Sequence, residues 1–178
     1  MNKLPLFLFC MLNLVLLDPA LACSCDWEGP FLEMAKESDL VAKIKVLEYQ
    51  EMMEIYEDSI PNVMIVEIVE IFKGKEERKQ VKVWGDNGFL CRPYLSIFQS
   101  GSEWILNLNK GEKSLEGEAE EDYSLLICGE NWLALEEGLL KGVIFPKNVS
   151  RIRSAGDEEI KLNVQELSLS AFREEFEY

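Results

Sequence analysis

Val63-Met64-Ile65-Val66-Glu67-Ile68-Val69-Glu70-Ile71-Phe72 is the stretch on which the fold turns. It is dense in β-branched residues, interrupted only by Glu67 and Glu70, and closed by Lys73-Gly74-Lys75. β-Branched side chains suit a pleated surface better than a helix. The run therefore reads as a strand ended by a turn. Residues 80–84 (Gln-Val-Lys-Val-Trp) alternate apolar and polar, so one face is buried and one is wet. Upstream, residues 40–49 carry Val41, Ile44 and Val46 and read as another strand. Downstream, residues 103–108, 123–128, 132–135 and 139–145 are further short strand candidates. Between them, 50–61 reads as an acidic loop or an irregular hairpin, 85–88 (Gly-Asp-Asn-Gly) as a loop, 89–100 as irregular, and 109–122 as a long exposed hairpin loop. Five to seven short strands with evenly spaced turn signals predict a mainly β protein, either a small closed barrel or a sandwich.

Two helices flank the strands. Residues 31–36 place Phe31, Met34 and Ala35 on one face, and Ser38-Asp39 ends that segment. At the other end, residues 167–176 space Leu169, Phe172 and Phe176 as an amphipathic helix that Ser168 or Ser170 can cap. Between Pro146 and Ser168 the pattern is hard to place. Asn148-Val149-Ser150 is a glycosylation sequon, meaningful only in a glycosylating host.

Residues 1–22 are of a different kind. Lys3 precedes an apolar run over 6–17, and Ala20-Leu21-Ala22 is a small-x-small cleavage site. This is the pattern of a secretory signal peptide, so the expected mature chain begins at Cys23 and is secreted or held in the cell envelope. The apolar run is short for a membrane span, and no later segment is longer. The alternative for the same residues is a loose lipobox, Ala20-Leu21-Ala22-Cys23, which would place a lipid anchor on Cys23.

Charge and composition remove whole classes of function. The 178-residue chain carries 33 acidic against 18 basic residues, a net charge of −15. Nucleic acid and anionic lipid surfaces both demand a basic face. There is no histidine, which excludes Ser-His-Asp triads, Cys-His dyads and histidine-ligated metals. We expect no enzyme, no cofactor and no intrinsic metal. The run 116–122 (Glu-Gly-Glu-Ala-Glu-Glu-Asp) lacks the ligand spacing of a calcium loop and reads as a solvated loop.

Four cysteines remain after residue 22: Cys23, Cys25, Cys91 and Cys128. An even count in an exported chain predicts a disulfide framework. A Cys23–Cys25 ring across one residue is strained. Either remaining pairing ties the new N-terminus to both Cys91 and Cys128. In the chain-entropy model each such long loop constrains the unfolded state by roughly 4–5 kcal/mol at most.

Cys23-Ser24-Cys25 after a signal peptide resembles the N-terminal domain of the tissue inhibitors of metalloproteinases, within the netrin-like group. Other elements match in order: Ser38-Asp39-Leu40-Val41, the strand 66–72 running into Lys73-Gly74, Cys91 after a glycine-containing loop, the strand at 104–108, and Cys128. The likeness covers about residues 23–135 and is greatest to single-domain, bacterial-type relatives. The family's third disulfide and its C-terminal domain have no counterpart here. The resemblance implies a five-stranded OB-type barrel over 23–145, an extension with a terminal helix over 146–178, and the pairings Cys23–Cys91 and Cys25–Cys128.

The resemblance also implies a mechanism. The α-amine and carbonyl of Cys23 would chelate the zinc of an extracellular metalloproteinase, filling its open position. The amine must be deprotonated, which its reference pKa of about 7.7–8.0 makes inexpensive. Ser24 would enter the pocket beside the metal. Cys25, Asp26, Phe89, Leu90 and Arg92 would line the contact. Two other outcomes use the same barrel: a protein-binding module without inhibitory activity, whose disulfides act only as staples, and a surface lipoprotein.

Overall fold

The computed structural model describes residues 25–55, 58–111, 117–154 and 157–177. The leader 1–22 with its cleavage and lipobox signals, Cys23, Ser24 and Glu116 lie outside the described residues, and so does the Asn148 side chain.

Five strands form a ring: β1 (Leu40–Ile55), β2 (Asp58–Lys73), β3 (Gln80–Trp84), β4 (Glu103–Lys110) and β5 (Tyr123–Ser124). Hydrogen bonding runs β1-β2-β3-β5-β4 and closes from β4 back to β1. Every pairing is antiparallel except β3 with β5. This is a closed OB-fold-like barrel, flanked by two short helices, α1 (Phe31–Glu37) and α2 (Leu169–Glu174).

Strand alternation fills the inside. Leu40, Ala42, Ile44 and Val46 of β1, Met64 and Val66 of β2, Val81 and Val83 of β3, and Leu106 and Leu108 of β4 form one buried cluster with Phe98 and Tyr123. The intervening residues Val41 and Ile105 point the other way, yet they are also buried. They meet Phe31 and Ala35 of α1, Leu133, Leu140 and Phe172. The outer face of β1 and β4 is thus roofed rather than wet at this end, which explains why Leu40, Val41 and Ala42 are apolar in succession.

Apart from α1, the roof is built from the C-terminal third of the chain. β4 also pairs with β6 (Trp132–Glu136), β6 with β7 (Leu139–Gly142), and β7 with β10 (Gln165–Ser168). Glu137 and Gly138, with φ of 50° and 81°, make the tight β6–β7 turn. Ser168 caps α2 by accepting the Ala171 N–H at 3.2 Å, which selects it over Ser170. Phe172 then packs among Phe31, Phe72 and Phe176 with ring centroids 5.1–5.8 Å away. β8 (Val149–Ser154) and β9 (Asp157–Leu162) form a separate hairpin.

Several expectations are corrected. Residues 50–61 take the hairpin alternative, because β1 and β2 run on as paired strands well past the barrel, with Met52 opposite Pro61 and Met53 opposite Ile60. The strand expected over 123–128 stops at Ser124, because the chain must turn at Gly129 (φ 143°) to bring Cys128 to its partner. The loop 109–122 is not wholly exposed: Glu118 and Asp122 are buried. Ten strands are described rather than five to seven, the unplaced stretch supplying three.

Candidate functional site

Of the residues singled out by the sequence, Cys25, Cys91 and Cys128 converge at one edge of the barrel. Cys25 is bonded to Cys128, with Cα atoms 5.5 Å apart across 103 residues of sequence. Cys91 is disulfide-bonded too, and its expected partner, Cys23, lies outside the described residues. The Sγ atoms of Cys25, Cys91 and Cys128 all lie within 4.8 Å of one another. Being oxidised, they offer no thiolate to a metal. Backbone bonds complete the seam. Glu28 N–H donates to the Cys128 carbonyl at 3.3 Å, Glu130 N–H to Gly29 at 2.9 Å, and Ile127 N–H to Cys91 at 3.0 Å. The segment from Cys25 to Gly29 is therefore laid along residues 127–130 by both covalent and hydrogen bonds.

The neighbouring loop is braced from within. Asp86 Oδ1 accepts the Leu90 N–H at 2.8 Å and Asn87 Oδ1 accepts the Phe89 N–H at 3.2 Å. These local bonds hold a tip whose Phe89 side chain is 82% exposed. Leu90 is half-buried and Asp26 exposed. Tyr94 and Ile127 are also exposed, so apolar side chains flank the cysteine cluster on more than one element.

Arg92 has a different place. It is 6% exposed, and its guanidinium is turned inward onto Glu118 in a two-pronged pair of 2.8 and 3.1 Å. Asp122 accepts the Trp84 indole N–H at 2.9 Å and the Ala119 N–H at 3.3 Å. Two acids of the 116–122 run are thus used to fasten that loop to β3 and to the loop carrying Cys91. Sequence reasoning missed Glu118, Asp122 and Trp84, since nothing in the spacing from 92 to 118 joins an arginine to one glutamate among many.

The Ser-Asp-Leu-Val and Lys-Gly elements prove to be one piece of architecture. Lys73 Nζ donates to the carbonyls of Ala35 (2.8 Å), Lys36 (2.5 Å) and Ser38 (2.8 Å), closing the C-terminus of α1 where cations are favoured. Ser38 Oγ donates to Met34, and Asp39 Oδ2 accepts the Lys110 N–H at 2.7 Å. Gly74 has φ of 88°, and a Cβ there would sit 2.3 Å from the Asp39 carbonyl oxygen. These residues set α1, and with it the preceding segment, against the barrel.

Glu70, Glu76 and Glu130 have displaced proton affinities, Glu70 being held down by its bonds to Arg173. Arg78 beside Glu76, helped by the Tyr123 hydroxyl at 2.9 Å, holds that carboxyl down at about 2. Burial pushes Glu130 upward, opposed by one bond from the Val143 N–H at 3.2 Å. Among the described residues no helix is long and apolar enough to cross a membrane.

Neither models of known protein families nor curated proteins match this sequence.

Proposed function

We propose that the chain is an exported netrin-like protein whose N-terminal edge binds a partner protein, and that the partner is an extracellular zinc metalloproteinase held through the α-amine and carbonyl of Cys23. One observation supports this reading above others: the clustering of Cys25, Cys91 and Cys128 sulfurs beside the exposed Phe89. A terminus would ordinarily fray. Here Cys25 is locked to Cys128, so the residues before it start from a fixed point. Rigidity of that kind lowers the ordering cost of binding. Phe89 and Leu90, with Asp26 and Ser24, would form the contact, while the buried Arg92 would hold the loop in register.

The exposed Phe89, Tyr94 and Ile127 favour a second reading, a binding module that needs no terminal amine. Adding one alanine ahead of Cys23 separates the two. Chelation requires that the extension abolish inhibition of a metalloproteinase while the barrel's circular dichroism and unfolding midpoint stay unchanged. Wild-type protein that inhibits nothing across a broad panel of zinc metalloproteinases sinks the inhibitor reading and leaves the module. Mass spectrometry of the first residue of exported protein decides lipidation, since an acylated Cys23 excludes both chelation and a Cys23 bridge.

A further inference from the structure

Asn87-Gly88 is the one place in the 178-residue sequence where glycine follows asparagine, and nothing in the proposed chelation uses it. The pair lies at the tip of the loop that presents Phe89, with Asn87 half-buried and Gly88 exposed. We propose that Asn87-Gly88 is a self-modifying site. The Gly88 backbone nitrogen attacks the Asn87 side-chain amide, and water then converts residue 87 to a mixture of aspartate and isoaspartate.

Both reacting atoms sit in one hydrogen-bonded ring. Asn87 Oδ1 accepts the Phe89 N–H at 3.2 Å, and the ring this bond closes contains both Asn87 Cγ and Gly88 N. Holding two reacting atoms in one small ring lowers the entropy cost of joining them. The Phe89 N–H also faces the oxygen on which negative charge develops when the nitrogen adds, as an oxyanion-hole donor does. On either side, Asp86 N–H donates to the Pro93 carbonyl at 3.1 Å and Asp86 Oδ1 accepts the Leu90 N–H at 2.8 Å. The tip is thus bracketed while its centre stays open to water. Gly88 has no side chain to screen its nitrogen, and it already takes a φ of 92° that a residue with a Cβ rarely adopts. Among the described residues no acceptor takes the Gly88 N–H, so solvent base removes its proton with no bond to break. Elsewhere the attacking nitrogen is crowded: Asn62 and Asn163 each precede a β-branched valine.

The chemistry balances without an oxidant or a cofactor. Once Gly88 N has lost its proton, the N–Cγ bond forms and the Cγ–Nδ2 bond breaks. Nδ2 leaves with that electron pair and takes protons from water to depart as ammonia. The product is a cyclic succinimide, which one water molecule opens. Addition of that water at Cγ leaves ordinary aspartate. Addition at the backbone carbonyl leaves isoaspartate, whose main chain runs through the former side chain. One water is consumed and one ammonia released. Either product places a new negative charge beside Phe89, and isoaspartate also lengthens the backbone of the tip by one carbon. The consequence rests on the binding reading above: conversion displaces Phe89 and weakens the edge as the exported protein ages.

The modification is tested without any partner. Folded, disulfide-intact full-length protein and a linear peptide of residues 83–90 are aged side by side in mildly alkaline buffer. Peptide mass spectrometry scores conversion of amide to acid, and labelling by an isoaspartyl methyltransferase scores isoaspartate. The proposal requires that residue 87 convert in the folded protein at least as fast as in the peptide, and faster as pH rises, while Asn62 and Asn109 stay amides. Conversion in the peptide with an intact amide in the folded protein overturns it. An Asn87→Gln variant keeps an amide but must close a larger ring, so its isoaspartate signal should vanish; a signal that persists overturns the assignment. Anion exchange then separates converted from unconverted protein by the added charge, and both are assayed against one zinc metalloproteinase. Weaker inhibition by the converted fraction supports the consequence, and equal inhibition refutes it. If neither fraction inhibits, the inhibitor reading fails while the mapped conversion stands.

Discussion

The Arg92–Glu118 pair gives the most searching test of how the edge is held. Three variants are compared: Arg92→Met, Glu118→Gln, and the double Arg92→Met/Glu118→Leu. The two side chains are 4% and 1% exposed and share two charge-assisted bonds. Removing one partner strands the other charge away from water, which costs about 3–5 kcal/mol. Each single variant should therefore lose that much, a large part of the roughly 5–15 kcal/mol that holds a domain of this size. The double variant leaves neither charge of this pair facing a missing partner. It removes both the attraction and the desolvation cost, so its loss should be only about 0–2 kcal/mol. The implied coupling energy is at least about 4 kcal/mol. Urea unfolding followed by tryptophan fluorescence measures all three, and Trp84 reports locally because its indole is bonded to Asp122 on the same loop. Singles that each cost under about 1 kcal/mol, or a double whose loss equals their sum, would refute the claim that this pair fastens the two loops.

Gly74→Ala should cost at least about 2 kcal/mol, from a positive-φ backbone and a Cβ 2.3 Å from the Asp39 carbonyl, measured as a fall in urea midpoint. Phe172→Ala should cost about 3–5 kcal/mol, because a fully buried ring leaves three aromatic neighbours facing a void; amide exchange over 165–176 should quicken as the roof loosens. Glu130 has a folded pKa raised by burial, so the folded state binds its proton more tightly than the unfolded state and stability falls as pH rises above the ordinary carboxylate range. Glu130→Gln should remove that slope and raise stability at pH 7, and a variant less stable than wild type at both pH 4 and pH 7 contradicts this. Glu76 is the opposite case: its folded pKa of about 2 gives stability that is present above the unfolded value and is lost as pH falls toward 2. Glu76→Gln should flatten acid unfolding over that interval.

The barrel was legible because its interior obeys a two-residue period. Met64 and Val66, Val81 and Val83, and Leu106 and Leu108 are read off as one face and are found as one cluster. Helix α2 was legible for the same reason at a period near 3.6, with Leu169, Phe172 and Phe176 together in the second cluster. The 146–168 stretch was not, because β10 earns its place from pairing with β7 rather than from its own composition, and Gln165-Glu166-Leu167-Ser168 announces no strand. At the site, the Cys25–Cys128 bond could be anticipated from family likeness but not from spacing, which left two pairings open. Arg92 looked like a contact residue because it follows Cys91. Its inward turn depends on Glu118, a partner 26 residues away that only the folded loop selects.

The surplus of acid acquires a physical reason once the strands are placed. β1 pairs with β4 only as far as Lys45, and β3 pairs with β2 only from Val63 to Glu67. Beyond those limits, and past the backbone bonds of Val46 to Gly101 and Ser102 and of Asn62 to Gly85, no further described strand pairs with the β1–β2 ribbon. Such an edge is a template for unwanted strand pairing. Along this ribbon stand Glu48, Glu51, Glu54 and Asp58, with Pro61 where an N–H would otherwise be offered. Glu51 adds a local break in the strand, its φ of 54° being rare for a non-glycine residue. Negative charge on a bare edge repels a second copy of the same edge, and proline removes a donor from it. The same acidity thus opposes self-association along the ribbon. With the β1–β4 face roofed by Phe31, Leu133, Leu140 and Phe172, the most exposed of the described large apolar side chains is Phe89 at 82%, two residues from Cys91, ahead of Val164 at 70% and Met52 at 56%. That exposure, on a loop held by Asp86, Asn87 and the Cys91 disulfide, is the reason to look for a partner at Phe89.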